Sequence, residues 1–191
     1  MKVHLRARAG MGGGAGDEQA GPLVAILRGH PIFFIVLTEA VRNHAEIKVL
    51  GPDPLTSVNF YDDFPYRLRQ NPGRTVASCL LDQEVVAGLG NTLKCEILFA
   101  MRFAPTLRVG ALLASQVDQL AGTIVGVLAT ATTFAGKGEA YPYRVFDRAG
   151  LPCGTCKSEI MVDRTGQDGH LTWYCPVCQG TGRVPLLFER A

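Results

Sequence analysis

Apolar and polar positions alternate at the start of the chain. Val3, Leu5 and Ala7 are interleaved with Lys2, His4, Arg6 and Arg8, a period of two that predicts a half-buried strand. Residues 10–22 (GMGGGAGDEQAGP) are glycine-rich and predict a flexible loop. LVAILRG and PIFFIVLTEAV follow, both rich in branched and aromatic residues, and IKVLGPDPL then ends in a proline-rich turn. Residues 1–50 are therefore expected to form three or four strands. A sheet that opens at residue 2 reads as part of a larger one, because unpaired edges are unfavourable.

From residue 56 the pattern changes to helical. Tyr66–Gln70 is a short candidate helix, and Arg74–Leu81 is a better one with Val76, Leu80 and Leu81 apolar. After the break VAGLGN a strong helix is expected from Asn91, whose side chain can cap it. It places Leu93, Ile97, Leu98 and Met101 on one face. Ser115, with Asp118 three residues on, opens a further helix striped by Val117, Leu120, Ile124, Val125 and Leu128. Residues 143–150 (YRVFDRAG) read as a connector with an extended start.

Composition adds bounds. The chain has 191 residues, 47% hydrophobic and 19% charged, which is globular. Its 22 glycines follow no fixed repeat. Net charge is +2, and acidic and basic residues nearly balance in each region, so charge alone does not point to nucleic acid. The longest unbroken apolar run, Ile32–Leu37, is too short to span a bilayer. The basic N-terminus lacks the apolar core of a signal peptide. A soluble intracellular monomer is expected, with no membrane partner. Six cysteines in a reducing compartment then suggest metal ligands or buried thiols.

Four of these cysteines carry the clearest chemistry. Cys153 and Cys156 form one C-x2-C knuckle, and Cys175 and Cys178 form a second eighteen residues later. Each knuckle offers two thiolates to two corners of a tetrahedron, so one structural Zn²⁺ on a β-hairpin is expected. Thirty residues cannot bury a core of their own, and metal binding, worth roughly 10–16 kcal/mol in zinc-finger peptides, would supply the folding energy. The competing reading of the four residues is two disulfides or scattered buried thiols. Cys79 and Cys95 lie on helical segments and read as buried thiols.

A second feature is LLDQEVVAGLGNTLKCEILF, two helices joined by a tight turn. Gly88 and Gly90 allow close backbone approach and positive φ, and Asn91 adds an amide beside the free N–H groups of a helix start. A phosphate suits such a site. On the residues alone, a plain turn between packed helices is the alternative.

VVAGLGN followed by KCEILF resembles the helix-two-turn-helix signature of the formamidopyrimidine-DNA glycosylase and endonuclease VIII family. RVFDRAGLPCGTC with LTWYCPVCQ resembles that family's C-terminal zinc finger, and the look is closest to its endonuclease VIII-like members. The resemblance covers about residues 50–180 and, more weakly, residues 1–48. It implies an α+β fold: a partial N-terminal β-sandwich remnant (1–50), a helical helix-two-turn-helix domain (51–150), a four-cysteine zinc finger (151–180) and a tail (181–191). It implies damaged-DNA binding in base-excision repair. The family's chemistry is removal of an oxidised base and strand nicking by β-elimination, in the nucleus or in the bacterial cytoplasm.

Residue by residue, the resemblance gives phosphate contacts to Gly88, Leu89, Gly90 and Asn91, an internal hydrogen-bonding role to Glu96 and a structural stop to Pro105. Gln179, just after the last cysteine, matches the family too, with a surface polar role as the alternative. His170 stands where the family's finger presents an Arg to DNA. Histidine still bonds a phosphate but lacks the bidentate fork. The family's reaction uses an N-terminal nucleophile, usually Pro, followed by Glu. This chain opens Met1-Lys2-Val3, so no catalytic residue is carried over. The expectation is the DNA-binding half of such an enzyme; the alternative is a catalytically inactive DNA-binding remnant.

Overall fold

The computed structural model describes residues 2–5, 23–26, 48–164 and 169–180. The chain divides into two compact units, residues 1–43 and 44–191. In the first, β1 (Lys2–Leu5) pairs antiparallel with β2 (Leu23–Ile26), Lys2 facing Ile26 and Leu5 facing Leu23. The predicted first strand is thus present as Lys2–Leu5. The glycine-rich stretch 10–22, the strand expected in PIFFIVLTEAV and the tail 181–191 lie outside the described residues.

Among its described residues, the second unit is built on four α-helices. α1 spans Phe60–Arg69, earlier and longer than the Tyr66–Gln70 expected. Pro65 lies inside the helix, where proline lacks a backbone donor. Burial outweighs it: Phe60, Phe64, Pro65 and Leu68 are all buried, and the Phe60 and Phe64 rings stack at 5.4 Å. α2 (Val76–Leu81) is capped by Thr75, whose hydroxyl accepts from the Ser78 N–H at 3.1 Å. Arg74 lies just outside it and pairs with Asp82 beyond its other end, Nη1 to Oδ2 at 2.6 Å.

α3 (Asn91–Ala100) starts where expected, but its cap differs. Gly90 is the N-cap residue, and Asn91 is already helical, so its side chain does not cap. α3 is buried continuously from Lys94 to Phe99, so it is enclosed on every side and not on one stripe. It ends in a left-handed residue, Arg102 (φ 55°), with the Phe103 N–H bonded to the Leu98 carbonyl at 2.9 Å, the helix-stop geometry usually given to glycine. Pro105 is buried just beyond.

α4 (Ala114–Gly136) begins one residue before the predicted Ser115. Gln116, not Asp118, closes its first turn, accepting the Leu113 N–H at 2.8 Å. The predicted stripe is correct at Val117, Leu120, Ile124 and Leu128, all buried, and these pack α4 on α1 and α3. With 23 residues and a mean hydropathy of 1.3, α4 is long and apolar enough to cross a membrane. It is so by length and composition only, as the core helix of a soluble protein also is. Small and hydroxyl residues interrupt its apolar positions, so no long unbroken run marks it in the sequence. Its buried face completes the core of the helical region.

The finger follows the connector. β3 (Met161–Asp163) and β4 (Thr172–Tyr174) pair antiparallel, Met161 opposite Tyr174, which is the expected hairpin.

Candidate metal centre and nucleic-acid interface

The two knuckles bring four sulfurs together. The Sγ atoms of Cys153, Cys156, Cys175 and Cys178 lie within 4.8 Å of one another, with Cys153–Cys178 at 3.9 Å and Cys156–Cys175 at 3.4 Å. A zinc with Zn–S bonds of ~2.3 Å sets its sulfurs about 3.8 Å apart. The cluster therefore fits a tetrahedral metal, and an all-thiolate donor set suits Zn²⁺. None of the four cysteines is in a disulfide. The backbone supports the sulfurs: the Thr155 N–H points at Cys153 Sγ (3.4 Å) and the Cys178 N–H at Cys175 Sγ (3.3 Å). The Ser158 hydroxyl lies 2.9 Å from Cys156 Sγ, and with the Ser158 N–H it lowers that thiol's pKa to about 6. Burial, and then hydrogen bonds with the other thiols, push Cys178 in the opposite direction. Cys79 and Cys95 are buried thiols as expected, Cys79 in the helical core and Cys95 packed against the finger's cysteines, and burial raises both.

The turn before α3 is held from behind. Gly88 has φ +83°, the left-handed conformation a side chain would strain. Gln83 spans the turn: its Oε1 accepts the Gly88 N–H at 2.9 Å, and its Nε2 donates to the Leu89 carbonyl at 3.0 Å. Leu89 is buried as an apolar anchor, whereas Gly88 and Gly90 are exposed. The first N–H groups of α3 have no partner within the helix, which is the helix-start condition for an anion site. Asn91 Oδ1 is buried with no hydrogen-bond partner among the described residues. A half-turn of the amide would place its NH₂ there and Oδ1 on the other side.

α3 also carries the finger. Lys94, fully buried, donates from Nζ to Thr172 Oγ1 at 2.8 Å and to the Leu171 carbonyl at 3.4 Å, at the start of β4. Glu96 accepts three backbone N–H groups of the connector, from Arg144 (2.9 Å), Val145 (3.0 Å) and Phe146 (2.9 Å). Its internal role is as expected. Gln179 is 2% exposed; its Oε1 accepts the Cys175 N–H and its Nε2 donates to the Phe103 carbonyl, both at 2.9 Å. The surface alternative for Gln179 is corrected: it is an internal bridge between second knuckle and helices. His170 is exposed, one residue before Leu171.

Sequence reasoning missed Lys94 and Gln83. Lys94 was legible only as a cation inside a helix whose neighbours are apolar, a signal that burial needs a partner. Gln83 carried no signal, because its bonds run to a turn whose conformation the sequence does not spell out.

The formamidopyrimidine-DNA glycosylase H2TH domain matches residues 50–141. A formamidopyrimidine-DNA glycosylase of Cereibacter sphaeroides is 36% identical over 159 residues, covering 76% of this chain and 56% of that protein. One from Ruegeria pomeroyi is 32% identical over 158 residues with the same coverage. The chain thus spans a little over half the length of these relatives. Among solved structures, the Lactococcus lactis enzyme bound non-covalently to abasic-site DNA aligns with a TM-score of 0.67 and 29% identity, over 75% of this chain and 55% of that one. The same enzyme with formamidopyrimidine-dG DNA gives 0.66 and 27%. A shared helical domain, a relative 36% identical over 76% of this chain and a matching solved fold agree, and the chain belongs to the formamidopyrimidine-DNA glycosylase family.

Proposed function

We propose that this chain binds damaged DNA in base-excision repair, as the DNA-binding half of a DNA glycosylase/AP lyase. The observation that carries this reading is the double duty of α3. Its N-terminus follows the Gly88–Asn91 turn, and its Lys94 holds the hairpin that presents His170. One rigid helix thus fixes the spacing between two phosphate contacts. The turn would receive a phosphate on backbone N–H groups and the Asn91 amide. His170 would add a second contact from the finger, firmer when protonated. Cys153, Cys156, Cys175 and Cys178 would bind one structural Zn²⁺, with no open position for chemistry.

Enzymes that act on a damaged base draw the nucleotide out of the stack, at a cost least for a lesion already unpaired. Two fixed phosphate contacts would hold the strand while that happens. Strand nicking by β-elimination is the chemistry of the family and is proposed for the whole protein, with no described residue assigned to it. The test is fluorescence anisotropy with abasic-site duplex DNA. Asn91→Ala should weaken binding about tenfold, the worth of one hydrogen bond to a charged group. Unchanged affinity in a folded Asn91→Ala protein would remove the phosphate role of the turn.

A further inference from the structure

A cavity of about 340 Å³ lies apart from the Gly88–Asn91 turn, lined by Phe99, Tyr143, Arg144, Arg148, Gly154 and Thr155. Three elements meet there: the C-terminal half of α3, the connector and the first cysteine knuckle. Phe99 sits eight residues beyond Asn91, about 12 Å along the helix. The site is therefore separate from the turn but fixed to the same rigid element.

Its chemistry is specific. Arg144 and Arg148 both face the cavity, and among the described residues neither guanidinium makes a hydrogen bond or ion pair. The nearby carboxylate, Glu96, is buried and committed to three backbone N–H groups. Two unpaired guanidinium groups at one cavity are a site for an anion, and their planar forks suit phosphate oxygens. Aromatic rings complete the wall. Tyr143, 38% exposed, stands 5.3 Å from Tyr141 and 5.4 Å from Phe146, and Phe146 stands 4.7 Å from Trp173. An exposed ring beside free arginines is the arrangement that stacks a base while its phosphate is held.

We infer that this cavity binds an unpaired nucleotide of single-stranded DNA, the base on Tyr143 and the phosphates on Arg144 and Arg148. A duplex does not offer this contact, because its bases are stacked on one another and present no free face. The inference rests on the proposed DNA-binding role and extends it to a strand segment beyond the lesion contacts.

The test uses the zinc-loaded chain, a fluorescent single-stranded oligothymidine and a blunt abasic duplex. Arg144→Gln/Arg148→Gln should weaken single-strand binding at least tenfold and lower the salt slope by about 1.4, from two phosphate contacts at ~0.7 each. Tyr143→Ala should weaken it at least fivefold. Neither variant should alter abasic-duplex binding, whereas Asn91→Ala should. Single-strand affinity unchanged in the double Arg variant overturns the site. Affinity lost with the arginines but kept in Tyr143→Ala overturns the nucleotide assignment and leaves a simple anion site. If the unaltered chain binds neither DNA, the proposed function fails, and that result is distinct from both.

Discussion

Nineteen buried side chains hold the helical region together, drawn from all four helices and the turns between them. The finger's cluster has seven, and three of them are its own cysteines, 153, 175 and 178. Two more, Cys95 and Phe99, are lent by α3. The helical region thus buries enough apolar surface to stand on hydrophobic packing, at roughly 25 cal/mol per Å². The finger does not; it leans on the flank of α3 and, as proposed, on a metal held by its four cysteines. The contrast also separates two kinds of attachment. Inside the helical region the contacts are largely apolar and spread out. Between it and the finger, three polar side chains, Lys94, Glu96 and Gln179, add to the packing of Cys95 and Phe99.

The largest expected effect comes from removing the metal. Chelation of the zinc-loaded protein should unfold the hairpin, because structural zinc supplies roughly 10–16 kcal/mol in isolated fingers. Trp173 is the single tryptophan and lies in β4, so its fluorescence reports the finger alone. Its emission should shift as the hairpin opens, while the far-ultraviolet signal of the helices is largely retained. Loss of the helical signal together with the tryptophan shift would break the comparison, since both regions would then be one cooperative unit. Readdition of Zn²⁺ should restore the emission.

How legible these two regions were in the sequence follows from what holds each. The finger was legible almost completely, because a metal site demands four donors at fixed spacings and Cys153, Cys156, Cys175 and Cys178 meet them. α4 was legible through its 3.6-residue stripe. α1 was legible only at its C-terminal end, Tyr66–Arg69, because around Pro65 its first half depends on the tertiary burial of Phe60, Phe64 and Leu68. The Gly88–Asn91 turn was found by its glycines and by resemblance, but the role of Asn91 at its edge was misplaced by one residue. A cap is a matter of φ and ψ, and an Asn after a Gly leaves open which of the two is the flanking residue. The polar ties of Lys94 and Gln179 join residues more than seventy positions apart, and no local pattern encodes such a pair.

The second prediction tests those ties. Glu96→Ala leaves three connector N–H groups without their acceptor. Val145 is buried and cannot turn to water, so the loss should be about 3 kcal/mol. Glu96→Gln keeps an acceptor but not the charge, and should cost about 1 kcal/mol. Thermal melts should show this order, and the tryptophan emission of Glu96→Ala should resemble that of the chelated protein more than that of the intact one. Equal melting temperatures for both variants would mean that the carboxylate's charge, which the amide lacks, carries the whole of the attachment.

The smallest effect belongs wholly to the helical region and sharpens the comparison from its other side. Partial burial raises the Asp82 carboxyl pKa, but the Arg74 hydrogen bond, the Glu84 N–H and the Arg74 charge outweigh it, and the net shift is downward. A depressed pKa in the folded state contributes stability that is fully present above the ordinary carboxylate value near 3.9. It is lost as pH falls below that value and through the lower folded one. The pair is partly exposed, at 35% for Arg74 and 26% for Asp82, so its worth is below about 1 kcal/mol. Urea midpoints for Asp82→Asn should therefore lie below those of the unaltered chain at pH 7, and the gap should close on acidification through that window. A gap that stays constant down to the acid end would show that the loss comes from geometry and not from charge. Zinc affinity and Trp173 emission should not change in this variant, because α2 and the finger share no polar tie among the described residues; a change in either would mean that the two regions are coupled through the apolar core of α3.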